Sequence, residues 1–161
     1  MKVGINGFGR IGRCVTRHII DDRPDVEIIK INASGDVDTN MHLLKYDSVH
    51  GRWKGDVDCD WSHSRDINEL DWTGCDVVLE CTGAFNDGNI AKTHIENGAK
   101  KVVISAPAKN VDRTVVYGVN HQDILPSDMV VSNASCTTNC LAPLVKVLSL
   151  IHISEPTRLG F

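Results

Sequence analysis

The sequence predicts a doubly wound α/β fold with a mostly parallel sheet, and three observations carry that expectation. Short runs rich in valine and isoleucine recur at residues 3–6, 26–31, 77–82, 102–106, 115–119 and 129–132. Several are continuously apolar, as strands covered on both faces are. Segments of helical periodicity separate them. With 161 residues, 42% of them hydrophobic, the chain can bury one core and is too short for two domains of ordinary size.

The elements follow in order. After the first strand, Ile11, Cys14, Val15, His18 and Ile19 fall at i, i+3, i+4, i+7 and i+8, which predicts an apolar stripe on a first helix. A second helix is expected from Asp38 or Thr39 as cap through Tyr46, and a third over 86–97, where Gly98 supplies a left-handed stop. Residues 53–72 hold too little apolar sequence to pair well and are expected to form an edge loop. After 129–132 the chain turns through Asn133, Ala134 and Ser135, and a helical pattern resumes over 137–147.

Between the first strand and the first helix lies Gly7-Phe8-Gly9-Arg10-Ile11-Gly12. Gly7 permits the tight turn, Gly9 lets backbone amides approach a pyrophosphate, and Gly12 lets the helix pack closely on the sheet. The helix start then faces the anion, and its dipole contributes about 0.3–1 kcal/mol. Arg10 adds charge nearby. Such a glycine pattern also occurs in ordinary tight turns; the flanking strand and amphipathic helix favour a dinucleotide.

The acidic residue expected about 20 positions further on, which would hold the adenosine ribose, is replaced. Ala33 stands near that place, with Ser34 beside it and Asp36 beyond the turn. Removing a carboxylate removes repulsion toward a 2′-phosphate, so a site tolerant of NADP is expected, with NAD use open. The competing reading gives the ribose role to Asp36.

Cys136 falls at a predicted helix start, where partial positive charge favours an anionic sulfur. Ser135 and Thr137 flank it with hydroxyls suited to an anionic substrate group. Cys140, one turn on, reads as a buried spacer, and Cys14 as part of the apolar stripe. His18, His42, His50, His63, His94, His121 and His152 offer no base by spacing and read as surface or packing residues.

A net charge of −4 leaves no basic stripe, which argues against nucleic acid as primary partner. No run is long enough to span a bilayer, and the N-terminus lacks a signal-peptide pattern. Six scattered cysteines without a Cys-x-x-Cys pair suit a reduced, cytoplasmic setting and no metal site.

The motifs together resemble the phosphorylating glyceraldehyde-3-phosphate dehydrogenase family. The similar segments are 6–13, 42–51, 80–83, 101–107, 118–121 and 132–143, the last of these containing Ser135-Cys136-Thr137-Thr138-Asn139-Cys140. The resemblance implies Cys136 as nucleophile, with Ser135 and Thr137 at substrate and phosphate positions. It also implies cofactor contacts at Asn6, Gly7, Phe8, Gly9, Arg10, Ile11, Gly12, Asn32, Ala33, Ser34, Arg65, Thr82, Gly83, Phe85, Ser105 and Ala106. The implied reaction oxidises a phosphorylated aldehyde through a cysteine thioester that inorganic phosphate cleaves, in glycolysis or gluconeogenesis, within a homotetramer. An erythrose 4-phosphate dehydrogenase would look much the same.

Three departures qualify it. Asn32-Ala33-Ser34 replaces the family's usual Asn-Asp pair, resembling members that use NADP. The stretch 56–64 is short and is expected to lack a strand of the adenine-side hairpin, which leaves Arg65 unplaced. The family's second α+β domain, with its catalytic histidine and main phosphate-binding arginine, is absent from these residues. The nucleotide-binding domain is therefore expected over 1–147. Residues 148–158 are similar to the translation of a common transposase sequencing adapter, so 148–161 read as an artefactual tail, a natural tail being the alternative. By itself, this chain is expected to bind nucleotide and turn over nothing.

Overall fold

The computed structural model describes residues 1–151. Nine strands and five helices occur in them: β1 (Lys2–Asn6), α1 (Arg10–Asp22), β2 (Glu27–Asn32), α2 (Val37–Lys45), β3 (Tyr46–Asp47), β4 (Gly51–Arg52), β5 (Asp60–Ser62), β6 (Val77–Glu80), α3 (Gly88–Ala91), α4 (Thr93–Glu96), β7 (Lys101–Ile104), β8 (Arg113–Thr114), β9 (Val130–Ser132) and α5 (Cys136–Ile151). Of the tail expected over 148–161, residues 148–151 continue α5. Residues 152–161, His152 included, lie outside the described residues.

Seven strands form one parallel sheet in the order β5-β2-β1-β6-β7-β9-β8, and β3 and β4 pair as a separate antiparallel ribbon. The chain runs outward from β1 through β2 to β5 on one side, then through β6 and β7 to the edge strand β8 on the other, and β9 returns between β7 and β8. The fold is thus a Rossmann-like doubly wound sheet with its switch point between β1 and β6. Ile5 pairs across with Ile31 and Leu79, and β1 and β2 present four and three buried residues respectively. Val3, Ile5, Ile19, Ile28 and Ile31 form the core beneath α1, and Ala91, Val102, Ile104 and Val130 form a second core beneath α3. No helix among the described residues is long and apolar enough to cross a membrane.

Several expectations are corrected. The buried face of α1 is Gly12, Thr16 and Ile19, while Ile11 is 50% exposed and His18 faces solvent beside Asp22. Glycine 12 has no side chain, so the helix approaches the sheet there, and this close contact sets its rotation. The second helix is capped by Asp36, not Asp38 or Thr39: the Asp36 carboxylate accepts from the Thr39 amide at 2.7 Å and its hydroxyl at 2.8 Å. The third helix is two short turns joined at Lys92, and Gly98 stops it at a φ of 107°.

Residues 53–72 are more than a loop. Strand β5 pairs in parallel with β2 through Lys30–Asp60, Ile31–Trp61 and Asn32–Ser62, so the sheet has an edge strand here, with no hairpin partner to it among the described residues. Trp61 meets Phe8 edge to face at 5.2 Å, and Trp53 and Trp72 are buried. An edge strand needs only one paired neighbour, and these aromatic contacts replace the missing alternation. Near the other edge, the strand is Arg113–Thr114 and not 115–119, because Gly118 turns the chain at a φ of 81°.

Candidate nucleotide-binding site

The carboxyl ends of β1, β2 and β6 open onto a crevice of about 570 Å³ at the switch point, the place where doubly wound sheets take ligands. Its floor is laid by strand-end hydrogen bonds. The Gly7 amide donates to Asn32 O at 2.8 Å, the Cys81 amide to Asn6 O at 2.7 Å, and the Ala33 amide to Ser62 O at 3.0 Å.

Each glycine of the turn has its own steric reason. Gly7 adopts a φ of 94°, and a Cβ there would lie 2.6 Å from the Thr82 amide nitrogen, so the turns after β1 and β6 touch. Around Gly9 nothing lies within 4 Å of a Cβ position, which leaves open space beside the backbone. Gly9 is also the N-cap of α1 and offers no side-chain cap, so the first amides of that helix remain for a ligand.

Of the residues expected at this site, Asn6, Gly7, Phe8, Gly9, Asn32, Ala33, Ser34, Arg65, Thr82 and Phe85 line the crevice together. Gly83, at a φ of 74°, sits in the turn between the lining residues Thr82 and Ala84. Gly12 stands behind the wall against Gly7 O. Ile11 is exposed on the first turn of α1. Ser105 extends the β7 end by donating its amide to Glu80 O at 3.0 Å, and Ala106 O accepts from the Ser132 hydroxyl at 2.8 Å. Arg10 is turned away to the Asp47 carboxylate, which the amides of His50 and Val49 and this guanidinium together hold at about 2.

Further residues join the crevice that the sequence did not single out. Arg13 reaches it from α1 while donating to Phe8 O at 2.8 Å, and its Nε has no partner among the described residues. Asn40 pins the turn after β2 by donating to Ser34 O at 3.1 Å and Asp36 O at 2.9 Å. Arg13 meets the glycine turn and Asn40 the turn after β2, placements readable only once the helices are set. The described lining thus holds two arginines and no carboxylate, which suits an anionic ligand.

Cys136 is exposed and is the first residue of α5. The turn before it is tight, with Ala134 in the left-handed region at a φ of 57°. Ser135 caps the helix: its Oγ accepts from the Thr138 amide at 3.0 Å and lies 2.9 Å from the Thr137 hydroxyl and 2.7 Å from that of Thr138. Asn139 ties the turn down by donating to Asn133 O at 2.7 Å. The Cys136 sulfur has no hydrogen-bond partner among the described residues. Cys140 is exposed as well and is not the buried spacer expected, since one turn into α5 it still faces away from the sheet, whereas burial pushes the thiols of Cys59 and Cys81 up to about 12 and about 11.

Residues 1–88 match the family model described as glyceraldehyde 3-phosphate dehydrogenase, NAD binding domain. The chain is similar to a glyceraldehyde-3-phosphate dehydrogenase of Cereibacter sphaeroides, 50% identical over 161 aligned residues that cover 92% of this chain and 48% of that protein. It is also similar to the chromosomal glyceraldehyde-3-phosphate dehydrogenase of Cupriavidus necator, at 51% identity over 92% of this chain and 49% of that protein. A Geobacillus stearothermophilus protein of the same name is 50% identical over 92% of this chain and 48% of its own length. The chain therefore spans about half the length of these relatives. With the switch-point crevice and its glycine turn, these matches establish that the chain belongs to the glyceraldehyde 3-phosphate dehydrogenase family, in the part described as its NAD-binding domain.

Proposed function

We propose that this chain is the nucleotide-binding part of a phosphorylating glyceraldehyde-3-phosphate dehydrogenase that accepts NADP as well as NAD and uses Cys136 as nucleophile. One observation carries the reading: the uncapped start of α1 and the open side of Gly9 face a crevice lined by Arg13 and Arg65 and by no carboxylate. A diphosphate fits this chemistry, because backbone amides and guanidinium groups are its natural donors.

Asn6, Gly9, Asn32, Thr82 and Phe85 would hold the dinucleotide. When bound, the nicotinamide supplies the two-electron acceptor for the oxidation. Ser34 and Arg65 are in the lining, which holds no carboxylate, and Asp36 is tied to Thr39 as the α2 cap, so a 2′-phosphate would find donors in the lining. Cys136 forms the bond to the carbonyl carbon. Oxidation leaves an acyl group on its sulfur, and attack by inorganic phosphate releases that acyl group as an acyl phosphate and returns the thiolate. Ser135 and Thr137 present hydroxyls beside the sulfur for substrate or phosphate oxygens. The intact protein is read as a cytoplasmic homotetramer, and the 161-residue chain as a binder without turnover.

Calorimetric titration of the chain with NAD and NADP tests the proposal. Both are expected to bind, NADP no more weakly than NAD. Failure of both to bind defeats the reading, and a strong preference for NAD returns the ribose role to Asp36. For the intact protein, phosphate-dependent oxidation of glyceraldehyde 3-phosphate is expected, and its loss in Cys136→Ser; retained turnover in that variant would remove the sulfur from the mechanism.

A further inference from the structure

Beneath the crevice runs a chain of polar side chains centred on Glu80, a buried carboxylate that the reaction does not use. Glu80, at the end of β6, is 1% exposed, and its two carboxylate oxygens accept from four donors. Oε1 takes the Thr82 amide at 2.8 Å and the Thr82 hydroxyl, which fixes the turn after β6. Oε2 takes Asn6 Nδ2 at 2.6 Å and His94 Nε2 at 3.0 Å. Asn6 Oδ1 in turn accepts from Asn32 Nδ2 at 2.7 Å, and Asn32 Oδ1 from the Ser62 hydroxyl at 3.0 Å. The links therefore tie together the carboxyl ends of β6, β1, β2 and β5.

The far end of this chain is anchored away from the crevice. Trp72 Nε1 donates to His94 Nδ1 at 2.9 Å, and an indole nitrogen can only donate. His94 must therefore accept at Nδ1 and carry its proton at Nε2, facing Glu80. Both Trp72 and His94 are fully buried. The His94 ring also stands edge-on to Phe85, a lining residue, at 6.4 Å.

We propose that Glu80, oriented by His94 and Trp72, is the positioning residue of the nucleotide crevice: it sets the Thr82 turn and the Asn6–Asn32 pair in the geometry that receives the dinucleotide. The inference rests on the nucleotide-binding reading above. A carboxylate is required because every neighbour presents a donor. Glutamine has the same shape, but its amide would face a donor either at Thr82 or at Asn6 and His94, so one half of the bridge opens.

The test uses the 161-residue chain, with NAD affinity and the unfolding midpoint measured for each variant at a temperature where all are folded. The control is Val102→Ala, a core truncation in β7 outside the crevice lining. Glu80→Gln is expected to weaken NAD binding about tenfold or more, because hydrogen bonds to a charged group are the strong ones. Val102→Ala is expected to lower the midpoint and leave affinity within about twofold. Equal loss of affinity in the two variants, or parent-like binding by Glu80→Gln, would overturn the proposal. Should Glu80→Gln not fold, His94→Leu and His94→Gln decide: the first removes the donor to Glu80 and weakens binding, while the second restores an amide near the position of Nε2 and recovers it. Equal affinities in that pair overturn it too. If the parent chain itself binds no NAD, the functional reading fails first, which keeps the two failures apart.

Discussion

Gly12 lies over the carbonyl of Gly7, so close that a Cβ on Gly12 would be 2.2 Å from that oxygen. The neighbour is backbone and cannot swing aside. Gly12→Ala must therefore lift the first turn of α1 from the sheet, at the place where its free amides face the crevice. We expect a destabilisation of about 1–3 kcal/mol, as for other overpacked sites, and NAD binding weakened by about tenfold or more. Urea unfolding and calorimetry measure the two effects. Parent-like affinity in a folded Gly12→Ala protein would detach the start of α1 from the site.

Choice between the two nucleotides is expected to turn on Ala33. A carboxylate introduced there would face the space beside Ser34 and Arg65 that a 2′-phosphate needs. Ala33→Asp is expected to shift the NADP-to-NAD affinity ratio toward NAD by about tenfold, equivalent to about 1.4 kcal/mol. The ratio is the proper readout, because Ala33 is buried and the substitution also perturbs folding. An unchanged ratio would place the adenosine ribose elsewhere.

The cysteines should separate by environment. Cys59 and Cys81, with thiols raised to about 12 and about 11 by burial, stay protonated at pH 8. Iodoacetamide at that pH is expected to label Cys136 and Cys140 and to reach Cys59 and Cys81 only after denaturation. Peptide mass mapping with and without urea gives the answer. Early labelling of Cys59 in the folded protein would contradict its placement against the first core.

Acid should loosen the turn of the β3–β4 ribbon and its tie to α1. The Asp47 carboxyl is held at about 2 by the His50 and Val49 amides, with Arg10 adding to them. Its folded value is depressed below the unfolded one, near 3.9, so its contribution is complete above the unfolded value and is lost as pH falls through about 2. Asp47→Asn is therefore expected to be less stable than the parent at pH 7, with the difference shrinking between about pH 4 and pH 2. Urea midpoints for both proteins across that range measure it. A difference that grows on acidification would show the sign to be wrong.

How much of this was legible beforehand varies by element. Residues 3–6 and 129–132 were readable because central strands of a parallel sheet bury both faces and so must be apolar. The glycine turn was readable because a Cβ on Gly7 would strike Thr82 and one on Gly12 the Gly7 carbonyl. Strand β5 was not, since an edge strand with a Trp61–Phe8 contact needs no apolar run of its own. The stripe on α1 misled by pointing to Ile11 and His18: side-chain hydrophobicity was a weaker guide than the missing side chain of Gly12.

Local chemistry in the sequence determined the parallel strands, the glycine turn and the cysteine at a helix start, because each depends on residues adjacent along the chain. Tertiary structure alone decided that Arg10 goes to Asp47 and that Glu80, His94 and Trp72 meet beneath the crevice. In those cases the partners lie on different elements, and a polar side chain withdrawn from water takes whichever donor or acceptor the packing of those elements brings within reach.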